Sequence, residues 1–146
     1  MGEMEGGASS RETPSREEIG LMYARYQRLQ AEAESVAQQL EILKMSMGEI
    51  ERAVLAIEEI EKGGTDVKMS VGAGAFVDAK ITNTDRVMVT IGSGFSVEKD
   101  INDAKEFLKK RKDNITKAYE EGSKTLGELT QQIEELGRVL NQYLTK

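Results

Sequence analysis

The sequence predicts an α+β fold: a long antiparallel two-helix coiled-coil hairpin whose closed end carries four short strands as two β-hairpins. Three observations predict it. Apolar residues follow a seven-residue repeat toward both ends of the chain. Between 66 and 99 that period gives way to a period of two. Glycines mark each change of period. Composition agrees, since the 146 residues include no Trp, three Phe and four Tyr, and 32% are charged. Such a chain can fill no deep core, whereas paired long helices bury only two or three side chains per layer.

Residues 1–13 are polar, rich in Gly and Ser, and read as a disordered tail. A single domain follows at 14–146, divided into helix 1 (14–62), the β-hairpins (66–99) and helix 2 (100–146). Ser15 can cap the first helix, and Glu18 three residues later can complete a capping box. From Ile19 the apolar positions are Met22, Tyr26, Leu29, Ala33, Val36, Leu40, Leu43, Met47, Ile50, Val54 and Ile57, in alternating steps of three and four. That is a heptad seam with Ile19 at a and Met22 at d. A merely amphipathic helix would drift, because 3.6 does not divide 7. Gly63 and Gly64 supply the stop, where glycine can take the left-handed cap conformation.

Alternation then appears at Val67, Met69 and Val71; at Ala75, Val77, Ala79 and Ile81; at Val87, Val89 and Ile91; and at Phe95 and Val97. Gly72-Ala73-Gly74 and Gly92-Ser93-Gly94 are turns twenty residues apart, with Thr82-Asn83-Thr84-Asp85 between them. The repetition suggests a duplicated hairpin. Asp100 reads as the cap of the second helix. Its seam is weaker: Ile101, Ala104, Leu108, Ile115 and Ala118 with Arg111 at one d site, then Leu126, Leu129, Ile133, Leu136, Leu140 and Tyr143. The two halves differ in register by four residues, which places a stutter near Gly122. Both helical segments are about 45 residues, roughly 65–70 Å at 1.5 Å per residue. Equal lengths favour folding back antiparallel. So do charges, since Glu51 and Glu58 sit at e on helix 1 and Lys105 and Lys112 at e on helix 2. Such exposed pairs contribute about 0–1 kcal/mol each and speak to orientation more than stability.

The same residues exclude much chemistry. With no Cys there is no disulfide or thiolate, and with no His the commonest metal ligand and general base are missing. The Gly-x-Gly segments run into strands, so they are turns and not nucleotide loops. The basic run Lys105, Lys109, Lys110, Arg111 and Lys112 lacks interleaved aromatics and faces glutamates, in a chain of net charge −6. It reads as a charge-paired helix face, with no nucleic-acid partner. Carboxylates are spread evenly along the helices. The expectation is a protein that is not an enzyme, with no catalytic residue, no cofactor and no metal. The start lacks a signal-peptide core and no apolar run is long enough to span a membrane, so a cytoplasmic location and no membrane partner are expected.

Two regions point to binding. The open end of the hairpin carries apolar residues off the seam: Leu21 and Tyr23 on helix 1, Val139 and Leu144 on helix 2. A simple two-stranded rod has no use for them, so they suggest a protein-binding surface, with Met22 and the tyrosines adding adaptability. The strands cannot bury their own apolar face and leave edges unpaired, which suggests assembly with other subunits.

The stretch Val71 to Val77 (VGAGAFV), the turn Thr82 to Asp85, the stretch Ile91 to Lys99 (IGSGFSVEK) and the following Ala104 to Arg111 resemble the alpha subunits of the prefoldin family, in their archaeal form. The resemblance covers about residues 15–146. Beta-type subunits carry one hairpin, so the second Gly-x-Gly turn favours alpha. The resemblance implies a hexamer of two alpha and four beta subunits, whose strands form an inter-subunit double β-barrel platform bearing six coiled-coil arms. It implies an ATP-independent holdase that captures unfolded client proteins at the arm tips and delivers them to a group II chaperonin. Carried over by position, the client-binding tip comprises Ile19, Leu21, Met22, Tyr23, Tyr26, Leu136, Val139, Leu140, Tyr143 and Leu144. The subunit interface comprises Val67, Met69, Val71, Phe76, Val77, Val87, Val89, Ile91, Phe95 and Val97. The alternative is a structural coiled-coil subunit forming homo-oligomers or filaments.

Overall fold

The structure, a computed structural model, describes residues 13–144. The expected tail therefore lies outside the described residues except for Thr13. The element order is α1 (Arg16–Glu61), β1 (Asp66–Gly72), β2 (Ala75–Lys80), β3 (Arg86–Gly92), β4 (Phe95–Asp100) and α2 (Ile101–Leu144). Two long helices and two antiparallel hairpins are thus present, β1 pairing β2 and β3 pairing β4 as separate sheets. Backbone contacts divide the chain into two compact units. One holds the residues up to Glu41 with those from Glu120 onward, and the other is Ile42–Tyr119.

Local chemistry sets the helix ends. Ser15 Oγ accepts from the Glu18 amide at 3.2 Å, and Asp100 Oδ1 from the Asp103 amide at 2.8 Å, so each satisfies a backbone donor that its helix leaves unpaired. At the other end of α1, Gly63 adopts φ 99°. The Gly64 amide donates to the Glu59 carbonyl at 2.9 Å and the Gly63 amide to that of Ile60 at 3.1 Å. This is a Schellman stop, and glycine is required because an L side chain resists positive φ.

All twelve seam positions expected on α1, from Ile19 to Ile57, are buried or half-buried. On α2 the seam differs from expectation at one position. Ile101, Ala104, Leu108, Arg111 and Ile115 are buried or half-buried as expected, and so are Leu126, Leu129, Ile133, Leu136, Leu140 and Tyr143, whereas Ala118 is exposed and Tyr119 is half-buried in its place. The buried positions run from Leu108 to Arg111, Ile115, Tyr119 and Gly122 in steps of three, four, four and three, so the register shifts just ahead of Gly122. Gly122 occupies a seam position, and a Cβ built there would lie 2.7 Å from Leu40 Cδ2. The leucine fills the layer from the opposite helix, so the glycine, though it carries no apolar side chain, keeps its place in the seam. In the same unit Tyr26 lies against Gly137, whose Cβ would sit 3.3 Å from the ring. In the Ile42–Tyr119 unit the Thr116 hydroxyl donates to Met47 Sδ at 3.3 Å. Within each unit, residues later in α1 thus meet residues earlier in α2, an antiparallel pairing.

The hairpins are structural duplicates. In each the register slips at the same place, between Ser70 and Gly72 and between Thr90 and Gly92. Each loop has two central residues of positive φ, Ala73 (51°) with Gly74 (77°) and Ser93 (50°) with Gly94 (80°). These are the angles of a type I′ turn, whose twist matches that of the flanking strands. Between the hairpins, Asn83 Oδ1 accepts from the amides of Asp85 (3.0 Å) and Arg86 (3.2 Å), closing the connection as an Asx turn. Alanine and serine are poor choices for left-handed backbone. Ala73→Asn is expected to stabilise its hairpin by about 0.5–1 kcal/mol, and Gly74→Val to cost about 1–2 kcal/mol. Amide exchange in β1 and β2 reports both; equal protection in parent and variants would remove the turn argument.

Candidate binding surfaces

The unit that holds the start of α1 and the end of α2 contains all ten of the predicted tip residues. Tyr26 packs beside Gly137, and Arg25 joins Gln132, Glu135, Leu136 and Val139 around a shallow hollow of about 190 Å³. Exposure then sorts the ten residues. Leu21 (68%), Tyr23, Val139 and Leu144 (59%) are open to solvent. Ile19, Met22, Tyr26, Leu136 and Tyr143 are half-buried, and Leu140, only 3% exposed, is part of the seam. The four open positions are those that fall off the heptad, as a partner-binding face would require.

The hairpins present a second surface. Directly paired residues share a face, so Val67 with Ala79 and Met69 with Val77 form one side of the first hairpin. The other side holds the Lys68–Asp78 ion pair and the Ser70–Phe76 pair. No residue of this hairpin is buried, and Met69, Val71, Phe76 and Val77 are all exposed. The second hairpin repeats the pattern, with Val87, Val89 and Val97 on one side and the Arg86–Glu98 pair (3.4 Å) on the other. Ile91, Phe95 and Val97 are exposed, Val87 is half-buried and Val89 is buried. This hairpin lies against α2. Arg111 donates to the Thr90 carbonyl at 3.0 Å, and Arg111 and Lys99 stand over the Phe107 ring at 4.7 and 5.3 Å. Arg111, expected as a weak seam residue, therefore serves as a bridge to the sheet. Met88, also exposed, was not singled out by the sequence, because it lies on the charged side of its strand.

The family model for prefoldin subunits matches residues 29–146. The chain belongs to the prefoldin family. Among its relatives, the prefoldin alpha subunit of Methanococcoides burtonii is 38% identical over 112 residues, covering 75% of this chain and 81% of that protein. The alpha subunit of Methanosarcina barkeri is 35% identical over 127 residues, covering 84% and 88%. That of Pyrococcus horikoshii is 34% identical over 116 residues, covering 77% and 78%. A cryo-EM structure of filamentous prefoldin from Methanocaldococcus jannaschii has the same fold, with a TM-score of 0.67 at 19% identity, covering 78% of this chain and 96% of that one. Prefoldin-family members are chaperone subunits that assemble with other prefoldin subunits, and the alpha-type resemblance of the glycine hairpins agrees with these relatives.

Further features of this prefoldin-family chain are electrostatic. Lys112 pairs with Glu51 at 2.8 Å, as expected from the e positions, but Lys105 pairs with Glu61 at 2.5 Å and not with Glu58. The Lys112 ammonium, first by its hydrogen bond and then by its charge, holds the Glu51 carboxyl below the ordinary glutamate value. The folded state therefore favours the ionised form. The pair's contribution is complete above the ordinary glutamate value and is lost as pH falls through the lowered one. A carboxyl NMR titration should show Glu51 titrating below the ordinary glutamate value, and Lys112→Met should return it toward that value. No difference between the two proteins would mean that the pair does not persist in solution. Among the described residues no group of three or more acidic side chains is placed to hold a metal ion, and no helix is long and apolar enough to cross a membrane.

Proposed function

We propose that this chain is the alpha-type subunit of a cytoplasmic, ATP-independent holdase, with residues 14–146 acting as one prefoldin domain. Two such chains assemble with four beta subunits through the hairpin faces. The surface around Leu21, Tyr23, Val139 and Leu144 captures unfolded proteins, and the complex passes them to a group II chaperonin. The single observation that carries the reading is the exposure of the off-seam apolar side chains Leu21, Tyr23, Val139 and Leu144, all in the unit that holds the start of α1 and the end of α2. One such tip buries about 200–400 Å², roughly 5–10 kcal/mol gross at 25 cal/mol/Å². Loss of translational freedom and ordering of side chains offset much of this. A lone contact is weak and short-lived, while several tips around one client raise the effective concentration and still permit handover. No nucleotide is needed for that cycle.

The test mixes the chain with a beta-type subunit, measures the mass of the product, and then follows light scattering of a denatured client diluted into it. A mixed hexamer that suppresses scattering without ATP supports the proposal. A mixed hexamer that leaves scattering unchanged sinks the client reading. A second reading has its own support: the similar Methanocaldococcus jannaschii structure is of filamentous prefoldin, and the exposed hairpin faces suit self-assembly. Large homopolymers formed by the chain alone, with no uptake of the beta subunit, would favour that reading.

A further inference from the structure

In the Ile42–Tyr119 unit, Lys105, Lys109 and Lys112 are spaced four and three residues apart, so they lie along one face of α2. The outer two are matched by carboxylates of α1, Lys105 by Glu61 at 2.5 Å and Lys112 by Glu51 at 2.8 Å. The middle one breaks the ladder. Lys109 is exposed and, among the described residues, has no carboxylate within ion-pair distance. Where a third glutamate would complete the series, α1 presents Val54 and Leu55, and Leu55 is 61% exposed. These residues, with Ile50, Glu51 and Lys112, line a cleft of about 320 Å³. That is near the lower end of the volumes that hold small ligands, about 300 Å³.

An apolar floor beside an unmatched ammonium selects by chemistry. A purely apolar ligand would leave Lys109 without a counter-charge, and a purely anionic one would leave Leu55 in water. A matching ligand supplies both, with an apolar side chain and a carboxylate one helical turn apart. We propose that this cleft is a docking site for an acidic amphipathic helix of a partner protein, its apolar side chain on Val54 and Leu55 and its carboxylate on Lys109. The site is separate from the client surface, which is built from residues of the other unit, and does not depend on that assignment. Acidic amphipathic segments that dock on helix pairs do so through anchors at such spacings.

The test uses the full chain and a fluorescein-labelled, alanine-based helical peptide carrying leucines and glutamates four residues apart, read by fluorescence anisotropy. Saturable binding is expected. It should weaken at least tenfold with Lys109→Glu, with Leu55→Ser, and with a peptide in which glutamine replaces glutamate, and it should weaken as salt screens the charge. Lys109→Arg should retain it. Leu55 and Lys109 are on the surface, so circular dichroism should show unchanged helix content in every variant. No saturable binding, or equal binding by the parent and Lys109→Glu, overturns the proposal. It is also overturned if the peptide fails to bind while Lys109→Glu changes the sedimentation of the chain by itself, because the cleft would then belong to a second copy.

Discussion

Combining Leu21→Ser, Tyr23→Ser, Val139→Ser and Leu144→Ser is expected to raise at least tenfold the amount of complex needed to keep a denatured client in solution, without dissociating the complex. All four side chains are exposed, so the folded chain loses little packing. Surface changes of this kind usually stay within about 0.5 kcal/mol each. The client loses its contact with every alpha-type tip. In the proposed multivalent capture, removing one tether lowers overall avidity, commonly by a factor of about 10²–10⁴. A seam substitution separates this from unfolding. Leu140→Ser removes a side chain that is buried between the helices and should cost about 2–5 kcal/mol, visible as lost helicity. The quadruple variant should keep parental helicity and lose protection. If it protects clients as well as the parent does, the apolar group near the chain ends is not the capture surface.

The second large effect concerns assembly. Met69→Glu combined with Val77→Lys should convert the assembled subunit to a monomer while leaving both hairpins intact. The two positions are direct cross-strand partners on the apolar side of the first hairpin. Opposite charges placed there can pair with each other, as Lys68 and Asp78 do on the other side of the same strands. The hairpin therefore keeps its register, but the face it offers a neighbouring subunit becomes charged. Full burial of each of the two apolar side chains contributes about 1.5–3 kcal/mol. Their joint loss should weaken association at least a hundredfold before the burial of charge is counted. Native mass spectrometry with a beta-type subunit reads the outcome. Lys68→Gln with Asp78→Asn, on the opposite side, should leave the mass unchanged. An intact oligomer in the first variant would show that this face is not where subunits meet.

Some of this architecture is present in the sequence because it is local. The α1 seam is legible since a seven-residue spacing of apolar side chains has one low-energy way to bury itself. Ser15, Asp100 and Gly63 mark helix ends through bonds that span only a few residues, and all three do so here. The period-two runs and the Gly-containing turns likewise determine two hairpins and their register. The off-seam apolar positions Leu21, Tyr23, Val139 and Leu144 are legible for the same reason, as departures from a known repeat.

The remainder depends on what lies across from each residue. Gly122 resembles a gap in the seam until Leu40 is seen to fill its layer, and Tyr119 takes the half-buried place that spacing assigned to Ala118. Arg111 looks like a defect in the seam until its guanidinium is found on the Thr90 carbonyl. Lys105 reaches Glu61 in place of Glu58, because a long flexible side chain can choose between carboxylates on neighbouring turns. Val89 is covered while Val97, its neighbour across the sheet, is open. Periodicity tells which side of an element leaves water but carries no information about the atoms that replace the water. The sequence by itself thus determined two helices, two hairpins and the faces they bury. Only the tertiary structure decided the partner of each face, which seam residues remain reachable, and where Lys109 is left without a carboxylate among the described residues.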